Sequence, residues 1–333
     1  MCAQDATDPP ISEGPFLLLR HRPAPPGTAH HRARPPPAVP SPDRQQTPTE
    51  GQDPAMTPLP VVSLTDCADP NALARQSARI ATLFGATPTV VPLSGPDPEG
   101  AAALTLLDLL RSTDLIGGPT QPLLVLVNIA PRDGHWPNGV PFCYFRHGEH
   151  LVVSTVNPRV LAPLASYLGL AEVQVTDVRE VLEAAAAGWA DLTPAQVEEV
   201  VRTQFRSLWY VPLLARWLTD GRPVPAQPMA VHPPAAQHVR VAVVDNFGNC
   251  KLDRPAVDLP GYDSARSLAV HNRREGRRVR VRCYDRLPDV PLGEPGITVG
   301  SSGIGFAELV VRGGSAAELF GLRQGDQVLH LTS

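Results

Sequence analysis

The chain has 333 residues, 43% of them hydrophobic, with a formal net charge of −4. That is enough for two folded domains of ordinary size. No run approaches the roughly 18 apolar residues a membrane helix needs, and the acidic balance does not favour an extended polyanion as ligand or partner. The basic cluster from His271 to Arg282 is expected to be a solvated hairpin edge. Five cysteines, Cys2, Cys67, Cys143, Cys250 and Cys283, are scattered without Cys-x-x-Cys spacing, the pattern of free thiols in a reducing, cytoplasmic setting. The ten histidines show no His-x-x-x-His or His-Glu-x-x-His pattern, so no metal site is expected.

Residues 1–57 are proline-rich, as in Arg34-Pro35-Pro36-Pro37, with one short apolar patch at Phe16 to Leu19. They are expected to be a disordered extension. Met56, just before the first strand, is read as the natural start, and Asp5, Asp8 and Glu13 argue against a transit peptide. An α/β domain with a mainly parallel sheet is then expected over 58–230. Its strands are Val61 to Leu64, Thr89 to Leu93 and Pro122 to Ile129, and its first helices Ala72 to Phe84 and Ala101 to Leu110. A hairpin follows at Phe142 to Arg146 and Leu151 to Ser154. Helices are expected at Pro158 to Leu168, Val178 to Ala187 and Pro194 to Leu218, the last capped by Thr193 with Pro194 in its first position. Pro223 to Pro234 holds five prolines in twelve residues and reads as an interdomain linker. Over 231–333 the strands Val239 to Asp245, Ser267 to His271, Arg278 to Tyr284, Gly305 to Val311 and Gln327 to Leu331 suggest a small all-β, barrel-like domain.

Two acidic signatures carry chemistry. Asp66, in Leu64-Thr65-Asp66, follows an apolar run where a strand meets a loop, and its carboxylate can accept two hydrogen bonds from a ribose diol. Asp245 and Asn249, in Val244-Asp245-Asn246-Phe247-Gly248-Asn249, can do the same for an ammonium group, with Gly248 allowing close backbone approach. Each has a simpler reading: Asp66 as a helix N-cap, Asp245 to Asn249 as a turn. Cys67 reads as a packed thiol, and Trp136 as either a stacking group or a cover for the sheet edge.

The C-terminal motifs make the resemblance specific. Val241 to Asn249, the run Ser301-Ser302-Gly303-Ile304-Gly305-Phe306-Ala307-Glu308, then Gly314 to Glu318 and Gly321 to Val328 resemble the C-terminal domain of the S-adenosyl-L-methionine (SAM) hydroxide adenosyltransferases. This superfamily also contains the fluorinases and chlorinases. Leu64-Thr65-Asp66, with Asp69 nearby, resembles its Leu-Thr-Asp-Phe-Gly opening. The resemblance implies that Asp66 binds the ribose of SAM and that Asp245 and Asn249 hold its methionine end. Phe247 would pack beside that end, Ser301 and Ser302 would face the amino-acid moiety, and Phe205 would join the substrate-binding set. It also implies a homotrimer with sites between subunits, SAM as the only small-molecule partner, and no cofactor, nucleic acid or membrane.

At the reactive centre Asn128 stands where the hydrolytic members carry an Asp, Arg132 is a candidate for their Arg, and Arg206 replaces their His in Phe205-Arg206-Ser207. Asn128, Arg132 and Ser207 are therefore the candidate catalytic residues. Hydrolysis of SAM at ribose C5′ to adenosine and methionine is the expected activity, the commoner one of the superfamily. Halide transfer and inert nucleoside binding are the alternatives; a halide needs no general base, and Phe205-Arg206-Ser207 matches the halogenating members' Phe-x-Ser in form. Gly303-Ile304-Gly305-Phe306, followed by Gly314-Ser315-Ala316-Ala317, also echoes the carboxylate-binding loop of a PDZ module, but too few residues separate the two elements to build the intervening strands.

Overall fold

A computed structural model describes residues 59–114, 121–129, 139–234, 238–263, 266–301 and 303–330. The expectations for 1–57, and those for Arg132, Trp136 and Ser302, lie outside the described residues. In chain order the first part comprises β1 (Val61–Thr65), α1 (Pro70–Phe84), β2 (Thr89–Pro92), α2 (Pro98–Asp114), β3 (Leu124–Asn128), β4 (Phe142–His147), β5 (His150–Thr155), α3 (Pro158–Leu168), β6 (Glu172–Thr176), α4 (Val178–Gly188), α5 (Pro194–Arg202), α6 (Arg206–Trp209), α7 (Val211–Thr219) and β7 (Gln227–Ala230). The second comprises β8 (His238–Val244), β9 (Cys250–Pro255), β10 (Ser267–Asn272), β11 (Arg277–Tyr284), β12 (Pro295–Val299), β13 (Phe306–Val311), α8 (Ala316–Phe320) and β14 (Gln327–His330). No helix among the described residues is long and apolar enough to cross a membrane.

The first sheet runs β2-β1-β3-β5-β4-β6-β7, with β2, β1, β3 and β5 parallel and the remaining pairings antiparallel. All five residues of β3 are buried. Alternation sends Leu124 and Leu126 to a core shared with α1, α4 and α7, and Val125 and Val127 to one shared with α2 and α3. The second core also takes Ala242 and Phe306 from the second sheet, so the two sheets share apolar packing. The second sheet, β10-β11-β12-β13-β9-β8-β14, is a nearly closed barrel in which β14 comes back beside β10. Its interior holds Val239, Leu252, Val281, Ile297, Leu309 and Phe320. The α/β architecture followed by a barrel-like all-β part thus agrees with the expected fold class.

Two expectations fail locally. The single helix expected over Pro194 to Leu218 is three. Helix α5 stops at Thr203, which is extended (ψ 141°) and whose hydroxyl accepts from the Phe205 N–H at 3.2 Å. Pro212 then opens α7, since it has no N–H to give and its ring clashes with the preceding turn. Apolar periodicity runs on through the break because Leu208, Tyr210, Val211 and Leu214 all face the core. The linker expected at Pro223 to Pro234 contains β7, which pairs with β6 at the sheet edge. There Pro228 is tolerated because an edge strand can leave one N–H position empty.

Candidate active site

The carboxyl ends of the parallel strands, where ligands bind in open α/β sheets, gather several of the candidate residues. Thr65 and Asn128 are partners in the β1–β3 register, and the Asp66 N–H donates to the Asn128 carbonyl at 3.1 Å. Buried Asn128 donates its Nδ2 to Thr65 Oγ1 (3.2 Å) and to Cys67 Sγ (3.6 Å). Cys67 in turn lies 3.9 Å from Asp66 Oδ1. Asn128 is thus a donor that fixes the Thr65–Asp66–Cys67 strand end, and as an amide it cannot take a proton from water.

The helix cap belongs to a different acid. Asp69 accepts from the Ala72 N–H at 3.0 Å and occupies the N-cap of α1. The simpler reading of Asp66 is therefore wrong, since its half-buried carboxylate stands three residues before the cap.

The break after α5 brings Phe205, Arg206 and Ser207 toward the same edge. The Arg206 guanidinium covers the Phe142 ring, 5.9 Å from its centroid, and reaches the Val140 carbonyl. Phe142 pairs with Thr155 at the end of β5. Burial lowers the Arg206 pKa, a shift that Asp177 opposes. Across from it, Arg75 lies 5.4 Å over the Phe205 ring and Arg79 5.5 Å over Trp209. The two arginines are four apart on α1 and the two aromatics four apart at α6, so each pair shares one face and the faces stack. Arg75, Thr65 and Thr155, whose Oγ1 donates to the Ile129 carbonyl at 2.8 Å, were missed as members of this edge. The matching i, i+4 spacing of Arg75/Arg79 and Phe205/Trp209 was the available signal. Ser207 is half-buried in the short α6.

The second signature closes on itself. Asp245 Oδ1 accepts from the backbone N–H of Phe247 and of Asn249, each at 2.9 Å, and Oδ2 accepts from Asn249 Nδ2 at 3.0 Å. Gly248 has φ +80°, and a Cβ there would lie 2.1 Å from Ser315 Oγ. Its carbonyl accepts from the Ala317 N–H at 2.9 Å, tying the turn to α8. The Phe247 ring is 71% exposed. Exposed Ser301 leaves β12 on a loop at the other end of β9 from this turn, because Phe306 pairs with Pro255 while Cys250 pairs with Leu309. Glu308 lies between them. Its pKa is raised by burial against the pull of Lys251 at 3.5 Å, and Asp245 adds to the rise. Within one chain, then, Asp66, Asn128 and Phe205 to Ser207 belong to the first sheet's edge, and Asp245 to Asn249 to the second sheet.

Residues 239–329 match the family model of the SAM hydroxide adenosyltransferase C-terminal domain. The crystal structure of an uncharacterized conserved protein from Thermotoga maritima is similar over 80% of this chain and 98% of its own, with TM-score 0.57 and 18% identity. That of a conserved hypothetical protein from Thermus thermophilus is similar over 82% of this chain and 100% of its own, with TM-score 0.50 and 22% identity. At these identities the likeness concerns the fold. No curated protein matches the chain. The family-model match covers the part of the chain formed by β8 to β14, and it is to the C-terminal domain of the family that the motifs of this chain resemble.

Proposed function

We propose that the protein cleaves SAM at ribose C5′ with water, yielding adenosine and methionine. The observation that carries this reading is the state of Asp66: its carboxylate sits at the carboxyl edge beside Asn128, while Asp69 does the capping. A partly desolvated carboxylate at that position suits a ribose diol. The sulfonium is itself the leaving group. A water oxygen attacks C5′, the C5′–S bond breaks with its electron pair going to sulfur, methionine departs as a neutral thioether, and the proton of the attacking water passes to bulk water. The protein's share is alignment and exclusion of water from the reacting atoms. Because Asn128 is committed as a donor, it would orient the attacking oxygen or the ribose rather than act as a base. Asp245, Phe247 and Asn249 would hold the methionine end, supplied across a subunit boundary in a homotrimer; Ser301, at the far end of β9, is too distant from that turn to join them. That arrangement accounts for two half-sites on separate sheets.

One observation favours halide transfer as a second reading. Arg206, at the position of the missing His, is a half-buried cation at the same edge, and an anion needs desolvation and donors rather than a base. Incubation of the purified protein with SAM, with and without chloride, and chromatography of the products separates the readings. Adenosine independent of chloride supports hydrolysis, and a chloride-dependent nucleoside supports halide transfer. Intact SAM that still binds by calorimetry rejects both chemistries and leaves a nucleoside-binding protein.

A further inference from the structure

A cavity of about 590 Å³ lies between α2, α3 and the second sheet, and none of the residues assigned above to SAM lines it. Leu104, Leu107, Ala162 and Phe306 give it an apolar floor. Tyr167 makes an aromatic wall, edge-on to Phe306 at 5.7 Å between centroids. The volume is that of a small-molecule site.

The charged groups around it are unequally engaged. Both carboxylate oxygens of Asp97 accept from Arg159 Nη2, at 2.7 and 2.9 Å, and Arg159 also pairs with Glu99. Arg240 Nη1 donates to the Gly325 carbonyl at 3.2 Å, and the Arg254 Nε is sealed from the cavity. Asp253 differs. Its Oδ1 accepts from the Arg240 backbone N–H at 2.9 Å, but its Oδ2 has no hydrogen-bond partner, and no cationic side chain forms an ion pair with either oxygen, among the described residues. Unlike the Arg254 Nε, that Oδ2 is not enclosed, and Asp253 lines the cavity. A carboxylate drawn partly out of water without a counter-cation costs free energy, and a cation entering the space beside it relieves that cost. Burial raises the Asp253 pKa; the Arg240 N–H and the charges of Arg254 and Arg240 oppose the rise, and Asp97 adds to it. Burial also pushes the Tyr167 hydroxyl up to about 12, with Arg254 opposing and Asp258 and Asp253 adding, so both acids act on the aromatic wall. Asp97, Glu99, Asp253 and Asp258 thus face Arg159, Arg240 and Arg254, an excess of one negative charge. An open carboxylate oxygen beside aromatic rings and over an apolar floor has the make-up of a site for a single cation on an apolar body.

We infer that this cavity binds a small arylalkyl amine as its ammonium cation, the ring against Tyr167, Phe306 and Leu107 and the ammonium on Asp253 Oδ2, at a site separate from the SAM edge. The test is calorimetric titration of the full chain at neutral pH with phenethylamine, its neutral isostere 2-phenylethanol and the anion phenylacetate. The expected result is saturable binding of the amine, at least about tenfold tighter than that of the alcohol, since charge-assisted bonds are about twice as strong as neutral ones. Phenylacetate is expected to bind weakest of the three. Asp253→Asn abolishes the advantage of amine over alcohol, and Ala162→Leu, which fills the floor, weakens both together. Equal affinity for amine and alcohol, tighter binding of phenylacetate, or absence of saturable binding overturns the inference. So does an advantage of the amine that survives in Asp253→Asn, or affinities that Ala162→Leu leaves unchanged. The comparison of the three compounds needs only the unmodified protein, so it decides the matter even where a variant does not fold.

Discussion

The two signatures are alike in sequence, a carboxylate at a strand end beside amide or small residues, yet the fold treats them differently. At Asp245 the carboxylate is consumed locally by two backbone N–H groups and the Asn249 amide, and Gly248 is wedged against Ser315. At Asp66 the local work falls to Asp69, which caps α1, and to Asn128, which fixes the strand end. An Asp that builds its own turn is first a structural residue. An Asp whose neighbours do the building can serve a ligand.

Substitutions can break this comparison. The largest stability loss is expected at the turn. Asp245→Ala removes three charge-assisted bonds and should cost about 2–4 kcal/mol in denaturant unfolding. Gly248→Ala, at φ +80° against Ser315, should cost about 2 kcal/mol or more. Asp66→Ala should reverse the pattern, weakening adenosine or SAM binding by about 1.5–3 kcal/mol while costing less stability than Asp245→Ala. Asp69→Ala should lose about 1 kcal/mol of stability through the missing cap and bind nucleoside normally. If Asp66→Ala unfolds as readily as Asp245→Ala, the distinction between the two acids is lost.

The smallest effect concerns pH. Burial holds the Asp253 carboxyl above its ordinary range, against the pull of Arg254 and Arg240. Its folded-state pKa exceeds the unfolded value, so the ionised form is a cost to the fold. That cost is absent below the unfolded pKa and fully present above the raised one. Asp253→Asn keeps an acceptor for the Arg240 N–H and should be slightly more stable than the parent at pH 8. The advantage should shrink to nothing as the pH falls to about 4, and thermal melts across that range check it. An advantage that grows on acidification would contradict the assignment.

Much of this was legible in the sequence, for identifiable reasons. The apolar run ending at Asn128 and the β-branched run Val61 to Thr65 follow strand chemistry closely enough to place the carboxyl edge. The Asp-Asn-Phe-Gly-Asn turn was readable because Gly248 needs positive φ. Less legible was whatever depended on distant partners. The break at Thr203 to Phe205 hides under continuous apolar spacing, and it is what brings Phe205 and Arg206 to the edge. Strand β7 hides under prolines that only an edge position tolerates. The charged rim of the cavity beside Phe306 draws on Asp97, Arg159, Arg240 and Arg254, which have no shared motif and meet only through packing of α2 and α3 on the second sheet.

Calorimetric titration of adenosine into the parent protein, Asp66→Ala and Asp69→Ala tests the central claim most directly. The account predicts that Asp66→Ala binds at least about tenfold more weakly, the lower bound set by losing buried hydrogen bonds to the ribose, while Asp69→Ala binds as the parent does. Equal affinity in all three, or a loss confined to Asp69→Ala, would contradict it.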